Sequence, residues 1–325
     1  MIRTSITGSY PRIGDTPETQ KHRRGIASLD KGELTKEGFL SIEREVTKEV
    51  IGLQIKAGIE LITDGLIRWE DPFSYWSRRI NGFTVSGLLR YFDTNTYYRQ
   101  PVCAGALTWS GPISVDDYRY AQSVSSVPVK PIVTGPFTFV SLSKDNYYHS
   151  KEKFVLSLAE VLNQEVLALE KAGATIVEID EPLITWDKDN YGLFEKGFTR
   201  LIKGVKVPIL LHTSFGDLTG IYPKIQELPY YQLGVDCVMG VKNIDLLRKD
   251  IPKKPVALGL IDSRNTRMEN ISEVVAILRE FLNKVTQPLD LCPNTGLEFL
   301  PREVAQSKLI NLVKIAQSAK EVFVK

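Results

Sequence analysis

Short apolar runs rich in β-branched residues recur along the chain and alternate with longer segments of helical periodicity. The strand candidates of this kind are residues 4–7, 59–63, 102–107, 131–134, 175–179, 207–211, 235–238, 256–260 and 288–291. The helix candidates are residues 37–57, 151–172, 217–227, 271–283 and 301–322. Near-continuous apolar strands are typical of sheets covered on both faces, and their alternation with helices predicts a parallel sheet.

The number of repeats favours one α/β architecture. About eight strand–helix repeats in 325 residues fit a single (β/α)8 TIM barrel that takes up residues 1–325. Because there are nine strand candidates, at least one lies outside the barrel. Residues 11–34, which are polar and charged, and residues 71–120, which are rich in aromatic side chains, break the alternation. We expect both to be extended βα loops or insertions at the C-terminal face of the barrel.

Composition gives no reason to expect a strongly charged partner. The 41 basic and 39 acidic residues leave a net charge of +2, so nothing indicates nucleic acid or an anionic membrane as a partner. The sequence contains neither the roughly 20 consecutive apolar residues of a membrane span nor a signal-peptide core near its start. We therefore expect a cytoplasmic location.

Cysteine and histidine usage limits the metal chemistry open to the chain. Cys103, Cys237 and Cys292 are far apart in sequence, which predicts small buried residues rather than disulfides or a thiolate cluster. The 3 histidines are too few for a site built from several imidazoles. One of them, His212, follows the apolar run at residues 207–211 and so stands at a predicted strand end.

Function in parallel barrels gathers where the strands end, and two further ends are candidates. Asp180, Glu181 and Pro182 follow an apolar run, and because adjacent strand residues point to opposite sides, only one carboxylate can face the barrel mouth. That carboxylate could hold a substrate ammonium group or transfer a proton, or it could cap a helix that begins with the proline. Gly135 before Pro136 allows either a close approach of a ligand to the backbone or a plain turn.

A specific combination of motifs spreads over almost the whole chain. Its segments are residues 8–12 (GSYPR), 56–59 (KAGI), 91–98 (YFDTNTYY), 130–136 (KPIVTGP), 179–182 (IDEP) and 259–265 (GLIDSRN). Together they resemble the cobalamin-independent methionine synthase family, which transfers a methyl group from a reduced folate to homocysteine. In its long form that family has a C-terminal (β/α)8 barrel with zinc and homocysteine and an N-terminal barrel that lacks the metal and helps enclose the folate. Residues 91–95 and 260–265 look like the N-terminal barrel, whereas residues 292–302 look more like single-barrel archaeal versions of the catalytic one.

The resemblance implies a zinc site of one histidine, two cysteines and one glutamate, and this chain departs from it. His212 takes the histidine position, Ser214 replaces the first cysteine, and Thr295 replaces the second. No acid stands at residues 238–240, where the glutamate is expected. Neutral hydroxyl groups are poor zinc ligands. We therefore expect a degenerate site, no zinc in this chain, and no other tightly bound cofactor.

The amino-acid pocket that the resemblance implies is half retained. Asp180 matches the acid that holds the homocysteine amine, and Ser9 matches a residue that holds the substrate carboxylate. Leu66, however, replaces a second acid of that pocket. This mixture argues against activation of homocysteine by this barrel.

The resemblance also points to a folate-binding side. Lys21 and Arg90 lie near basic positions that contact the polyglutamate tail of the folate, and arginine suits carboxylate binding. A solvated charged loop is the alternative for both. Trp69, Tyr75 and Trp76 could stack on a pterin or cover a partner barrel, or they could form an ordinary loop core.

Three functions fit these residues. The first is the folate-side, zinc-less barrel of a methionine synthase, which takes a methylated folate or pterin as co-substrate and works with a separate zinc-bearing barrel chain. The second is a self-sufficient methyltransferase with a different thiol activation, for which Asp180 and His212 are the catalytic candidates. The third is a metal-free ligand-binding or decarboxylating barrel. The retained barrel motifs and the lost zinc ligands favour the first.

Overall fold

The computed structural model describes residues 2–323. The strands are β1 (Ile2–Thr4), β2 (Asn81–Arg90), β3 (Tyr97–Thr108), β4 (Ile132–Thr134), β5 (Lys144–Asp145), β6 (Val177–Asp180), β7 (Ile209–Thr213), β8 (Gln232–Asp236), β9 (Val256–Ile261) and β10 (Leu289–Pro293). The α-helices are α1 (Lys21–Asp30), α2 (Lys36–Ala57), α3 (Ser74–Ser77), α4 (Val115–Ser123), α5 (Pro136–Ser141), α6 (Lys151–Lys171), α7 (Tyr191–Leu201), α8 (Tyr222–Ile225), α9 (Asn243–Lys249), α10 (Ile271–Leu282) and α11 (Arg302–Phe323). Short 3-10 helices cover Pro17–Gln20, Pro182–Thr185 and Lys188–Asn190.

The chain forms two compact units. Unit 1 comprises Met1–Arg68, Arg119–Lys130 and Ala257–Lys325, and unit 2 comprises Trp69–Tyr118 and Pro131–Val256. Within the part of the chain that the structure describes, no helix is both long enough and apolar enough to cross a membrane.

The β segments of unit 1 follow one another side by side. β1 pairs with β10 in parallel, and β9 is the other neighbour of β10. Beyond β1, parallel bridges join Ser5 to Leu61 and Ile62 to Val129. The second predicted strand, residues 59–63, is thus reduced to these bridges, while its apolar side chains are buried as expected.

The long helix α2 shows how the sequence sets helix boundaries in unit 1. The Thr35 hydroxyl accepts a hydrogen bond from the Gly38 backbone N–H (3.1 Å), which caps the first turn. Gly58 ends the helix with a φ of 94°, a left-handed conformation that glycine adopts without strain. Between these ends, Val46 and Val50 are buried on one face, at the spacing of an amphipathic helix.

Unit 2 contains four parallel strands in the order β4, β6, β7, β8. The register places Thr134 opposite Asp180, Asp180 opposite His212, and His212 opposite Gly234. Every residue of β7 and β8 is buried, which explains the apolar run that predicts β7. β8 begins three residues before the candidate at residues 235–238, because buried Gln232 and Gly234 interrupt its apolar pattern. Because the strands are parallel, the side chains at their carboxyl ends lie in one row.

The long aromatic insertion contains a hairpin. β2 and β3 pair in antiparallel fashion, and β5 adds to β3 in parallel. The strand candidate at residues 102–107 lies in β3 and is therefore the one outside the barrel. In β3, exposed residues such as Arg99 and Ala104 alternate with buried ones such as Tyr98 and Cys103, a pattern typical of a sheet covered on one face.

The predicted α/β class is confirmed, and within each unit strands alternate with helices as in a (β/α)8 barrel. The β segments of barrel type are β1, residues 61–62, β4, β6, β7, β8, β9 and β10, and helical structure follows each of them. The helix expected at residues 217–227 shortens to α8, because Gly220 has a φ of 85° and Pro223 cannot continue a helix that begins upstream of it. Residues 11–34 contain α1 and a 3-10 turn rather than an open loop.

Candidate functional site

The polar groups that end β6 and β7 converge in unit 2. Glu178 and Asp180 are two residues apart on β6, so they share one face of the sheet, and Asp180 stands opposite His212 in the register. The Nδ1 atom of His212 lies 3.9 Å from Oδ1 of Asp180. One ligand atom from each of the three residues lies within 4.8 Å of the others. We call Glu178, Asp180 and His212 the site cluster.

The site cluster is buried except at Asp180. Glu178 is fully buried, and the side chains of His212 and Asp180 are 3% and 27% exposed. The imidazole of His212 lies over Gly234 of β8. A Cβ atom on residue 234 would stand only 2.3 Å from Cδ2 of His212. A small residue on β8 is therefore needed to seat the ring, and Asp180 is the carboxylate that an incoming ligand can reach.

Glu181 has a structural role beside the site cluster. It is fully buried, and its carboxylate accepts hydrogen bonds from the backbone N–H groups of Phe137 (2.9 Å) and Thr138 (2.8 Å). Burial raises its pKa to about 7, against hydrogen bonds from Thr138 and Phe137 that lower it. A Cβ at Gly135 would lie 2.2 Å from the Glu181 carboxyl carbon. Gly135 thus makes room for this carboxylate, and Glu181 caps α5 rather than the 3-10 helix beginning at Pro182.

Four aromatic side chains pack beside the ends of β6 and β7 in unit 2. Phe92 stacks on Phe215 with ring centroids 5.0 Å apart, and Tyr91 and Trp186 contact this pair edge-on. The Trp186 indole donates to the Phe215 carbonyl (2.7 Å). Phe92 and Phe215 have positive φ angles of 48° and 65°, a conformation that bulky residues adopt only when their surroundings enforce it. The hairpin tip is thereby fixed next to the residues that follow His212.

Of the family-type zinc positions, His212 keeps an imidazole, whereas the two cysteine positions carry the hydroxyl groups of Ser214 and Thr295. Ser214 lies at the end of β7 with its carbonyl bound by the Thr185 hydroxyl (3.1 Å). The acid nearest to residues 238–240 is Asp236, whose carboxylate accepts from the backbone N–H groups of Phe215, Val238 and Met239. Thr295 lies in unit 1 and is buried. The site cluster offers two carboxylates and one imidazole, a donor set that suits a divalent cation with oxygen and nitrogen ligands.

Two predicted residues come together in unit 1. The backbone carbonyl of Ser9 accepts a hydrogen bond from the backbone N–H of Leu297 (2.7 Å). Leu297 is two residues after Thr295, in the turn that follows β10. A Cβ at Gly8 would stand 2.6 Å from Cα of Gly296, so these two glycines allow the close approach of the loops. The structure therefore groups Ser9 with Thr295 and Asp180 with His212.

Lys21 and Arg90 both have partners within the chain. Lys21 Nζ lies 2.8 Å from Glu49 and 3.4 Å from Glu45, and the hydrogen bond and charge of Glu49 raise its pKa. Arg90 donates to the Thr94 carbonyl (2.6 Å) and pairs with an exposed carboxylate at the same hairpin tip. A role in carboxylate binding for either residue remains a prediction.

The other sequence candidates are parts of the core. Trp69, Tyr75 and Trp76 are buried and pack on one another, so they form a loop core and not an open stacking surface. The 3 cysteines are free and buried, as expected. Sequence reasoning missed Glu178, although a carboxylate within the apolar run of a buried strand is a recognisable signal. It also missed the cluster around Phe215, whose members are far apart in the chain.

Comparisons with known proteins find similarity over almost the whole chain. The model of a family described as cobalamin-independent synthase, N-terminal domain, matches residues 69–286. The chain is 29% identical over 324 residues to a methionine synthase from Saccharolobus solfataricus, covering 99% of this chain and 96% of that one. It is 30% identical over 319 residues to a methionine synthase from Sulfolobus acidocaldarius, with 97% and 91% coverage. A solved B12-independent methionine synthase from Shewanella has the same fold, with a TM-score of 0.85 at 23% identity over 99% of this chain and 98% of that one.

Proposed function

Since the chain belongs to the cobalamin-independent methionine synthase family, we propose that it is the folate-side, zinc-less barrel of a methionine synthase whose zinc lies in a separate chain. The observation that carries this proposal is the donor set at the ends of β7 and β8. Ser214 offers a hydroxyl in place of a thiolate, and the carboxylate of Asp236 is occupied by backbone N–H groups. Zinc lowers the pKa of a bound thiol and so makes the nucleophile, and neither of these two positions supplies a ligand for it.

In this function the residues of the chain bind and orient substrates. The partly exposed carboxylate of Asp180 accepts the ammonium group of an amino-acid substrate, and the buried ring of His212 limits where that carboxylate can move. The co-substrate is a methylated folate or pterin. The partner is a zinc-bearing barrel chain in the same compartment, for which we propose the cytoplasm, and neither nucleic acid nor a membrane takes part.

Association with a zinc-bearing chain tests the proposal directly. The purified chain is mixed with a zinc-bearing single-barrel methionine synthase, and the mass is measured by light scattering with and without a methylated pterin. We expect a stoichiometric complex and faster methionine formation than the zinc-bearing chain gives alone. Two species that stay separate at micromolar concentration under both conditions would contradict the proposal.

A substitution at Asp180 tests the substrate contact. In the chain without its zinc-bearing partner, Asp180→Asn removes the negative charge proposed to hold the ammonium group, so binding of homocysteine to this chain should weaken by roughly 10- to 100-fold, the usual effect of losing a hydrogen bond to a charged group. Calorimetric titration measures this, and Asp93→Asn, at an exposed acid, is the matched control. Equal affinities in the two variants would show that Asp180 does not contact the substrate.

The site cluster supports a second candidate, a self-sufficient methyltransferase. Its three ligand atoms lie within 4.8 Å of one another, and a cation held there could activate a thiol without cysteine ligands. Metal analysis of the chain as purified, followed by an assay of methionine formation by this chain alone, separates the two candidates. A stoichiometric metal that is lost in His212→Gln, together with activity of the isolated chain, would favour this candidate over the first.

A further inference from the structure

Trp186 is the most exposed member of the aromatic group beside the ends of β6 and β7. It is 54% exposed, although tryptophan carries a large apolar surface and is highly buried on average. The other tryptophans of the chain follow that tendency, since Trp69 and Trp76 are buried and Trp109 is half-buried. The ring of Trp186 is therefore an aromatic surface that a ligand can reach.

The exposed indole is held in one position. Its Nε1–H group donates to the Phe215 carbonyl (2.7 Å), and the backbone N–H of Trp186 donates to the Leu183 carbonyl (2.9 Å). The ring also meets Phe92 edge to face, with centroids 5.4 Å apart and an interplanar angle of 77°. A residue that is already fixed in this way loses little conformational freedom when a ligand binds, so its exposed face is preorganised.

The two phenylalanines that support the indole have a costly backbone conformation. Phe92 and Phe215 have φ angles of 48° and 65°, which glycine would adopt without strain. Such conformations persist where the surroundings enforce them, and they concentrate at ligand-binding sites. Here the surroundings include Asp236, whose carboxylate accepts a hydrogen bond from the Phe215 backbone N–H (2.9 Å). The contacts of the two rings with Trp186 supply a reason for phenylalanine at these positions.

Trp186 is joined to the strand ends that carry the site cluster. The 3-10 helix Pro182–Thr185 begins two residues after Asp180 and ends directly before Trp186. The Thr185 hydroxyl donates to the Ser214 carbonyl (3.1 Å), and Ser214 is two residues after His212. A ring bound on the indole would therefore lie beside the strand ends of Asp180 and His212, within unit 2.

The chemistry of this surface selects a flat ligand. The indole N–H is already used by a backbone carbonyl, so the exposed face offers stacking and not a hydrogen bond. Stacking on tryptophan suits planar heterocycles, because every such ring has a π face. The charges next to Trp186 are balanced, since Asp187 pairs with Lys151 (3.2 Å) and Lys188 pairs with Asp217 (3.0 Å). Shape and aromaticity, rather than charge, therefore determine what binds there.

We propose that the pterin ring of the methylated co-substrate stacks on the exposed face of Trp186. This inference rests on the function proposed above, because that function supplies a flat pterin as the methyl donor. Trp186 binds and orients the ring and takes no part in making or breaking bonds. The stacking role thus belongs to this residue and not to the buried Trp69, Tyr75 and Trp76.

Calorimetric titration of the full chain with methyltetrahydrofolate tests the stacking contact. Trp186→Leu keeps an apolar side chain and removes the π face, so affinity should fall by roughly 5- to 100-fold, the usual effect of losing a stack between a heterocycle and an aromatic side chain. Trp186→Phe retains an aromatic face and should retain most of the affinity. Tyr231→Leu, which removes another exposed aromatic ring of unit 2, is the matched control and should bind as the parent does.

A measurement on the parent protein keeps the test independent of how a variant folds. Acrylamide quenches the fluorescence of exposed indoles, so bound methyltetrahydrofolate should protect the parent from quenching. Equal affinities in the parent and in folded Trp186→Leu, or quenching that saturating methyltetrahydrofolate leaves unchanged, would overturn the stacking proposal alone. Protection by the zinc-bearing chain without methyltetrahydrofolate would assign the indole to a contact between barrels and would also overturn it. A parent chain that binds no methyltetrahydrofolate would contradict the proposed function as well.

Discussion

Asp180 and Glu181 are adjacent at the end of β6, but their carboxylates belong to regions with different chemistry. Glu181 is fully buried and accepts hydrogen bonds from the first turn of α5, and we call this arrangement the capping region. The side chain of Asp180 is 27% exposed and belongs to the site cluster with His212. Alternation along the strand sends the two carboxylates to opposite sides. A helix cap needs burial and satisfied acceptors, whereas a binding group needs access.

A glycine makes each region possible. A Cβ at Gly135 would collide with the carboxyl group of Glu181, and a Cβ at Gly234 would collide with the ring of His212. Neither glycine has a positive φ, so the reason for each is space and not backbone conformation. Gly135 leaves space for the carboxylate that caps α5, and Gly234 leaves space for the imidazole of His212. Substitutions in the two regions should therefore differ in whether stability or binding changes.

The largest effect is expected for Glu181→Ala. The variant leaves the buried backbone N–H groups of Phe137 and Thr138 without their acceptor, so the free energy of unfolding should fall by roughly 2–5 kcal/mol. Urea denaturation measures this loss. In contrast, Asp180→Asn should change the free energy of unfolding by less than about 1 kcal/mol, since its carboxylate is partly exposed. Equal losses in the two variants would mean that the two regions are not functionally distinct.

The pH dependence of stability sharpens the same contrast. Burial raises the pKa of Glu181 to about 7 from an ordinary value of 4.5. Between these two pH values the folded protein retains a proton that the unfolded chain has released, so stability falls as pH rises through this window. Glu181→Gln should remove this part of the pH profile, as measured by urea denaturation at several pH values. A profile that is the same in the variant and the parent protein would show that another group titrates there.

A smaller loss is expected when the space opposite Glu181 is filled. Gly135→Ala overpacks the capping region and should lower the free energy of unfolding by about 1–3 kcal/mol. In the double variant with Glu181→Ala the collision no longer exists, so the combined loss should be smaller than the sum of the single losses. Gly192→Ala, where a Cβ would meet no atom within 4 Å, is the control and should not destabilise the protein. Additive losses at residues 135 and 181 would contradict the steric explanation.

The sequence predicted where the residues of the capping region and of the site cluster lie along the strands, but it did not predict all of their partners. Strand alternation was enough to separate Asp180 from Glu181, and the apolar run before His212 was enough to place it at a strand end. The partners of Glu181, however, lie more than 40 residues upstream, so its role depends on which strands become neighbours. Glu178 stands out in the sequence as a carboxylate within an apolar run, but the group that it meets is known only when β6 and β7 are paired. Short-range patterns thus located the strand ends, and long-range register decided which groups meet there.

The smallest effect on stability is expected at Arg90, which the sequence assigned to folate binding and the structure places at an exposed hairpin tip. Its side chain is 53% exposed and that of its partner Asp93 is 73% exposed, and ion pairs of this kind contribute about 0–1 kcal/mol. Arg90→Gln should therefore leave the thermal transition nearly unchanged. If Arg90 holds a carboxylate of the co-substrate tail, the same variant should weaken binding of a methylated polyglutamyl pterin, while Arg90→Lys retains part of the affinity because the charge remains. Unchanged affinity in both variants would assign Arg90 to the hairpin alone and leave the site cluster as the binding region that the sequence identified in unit 2.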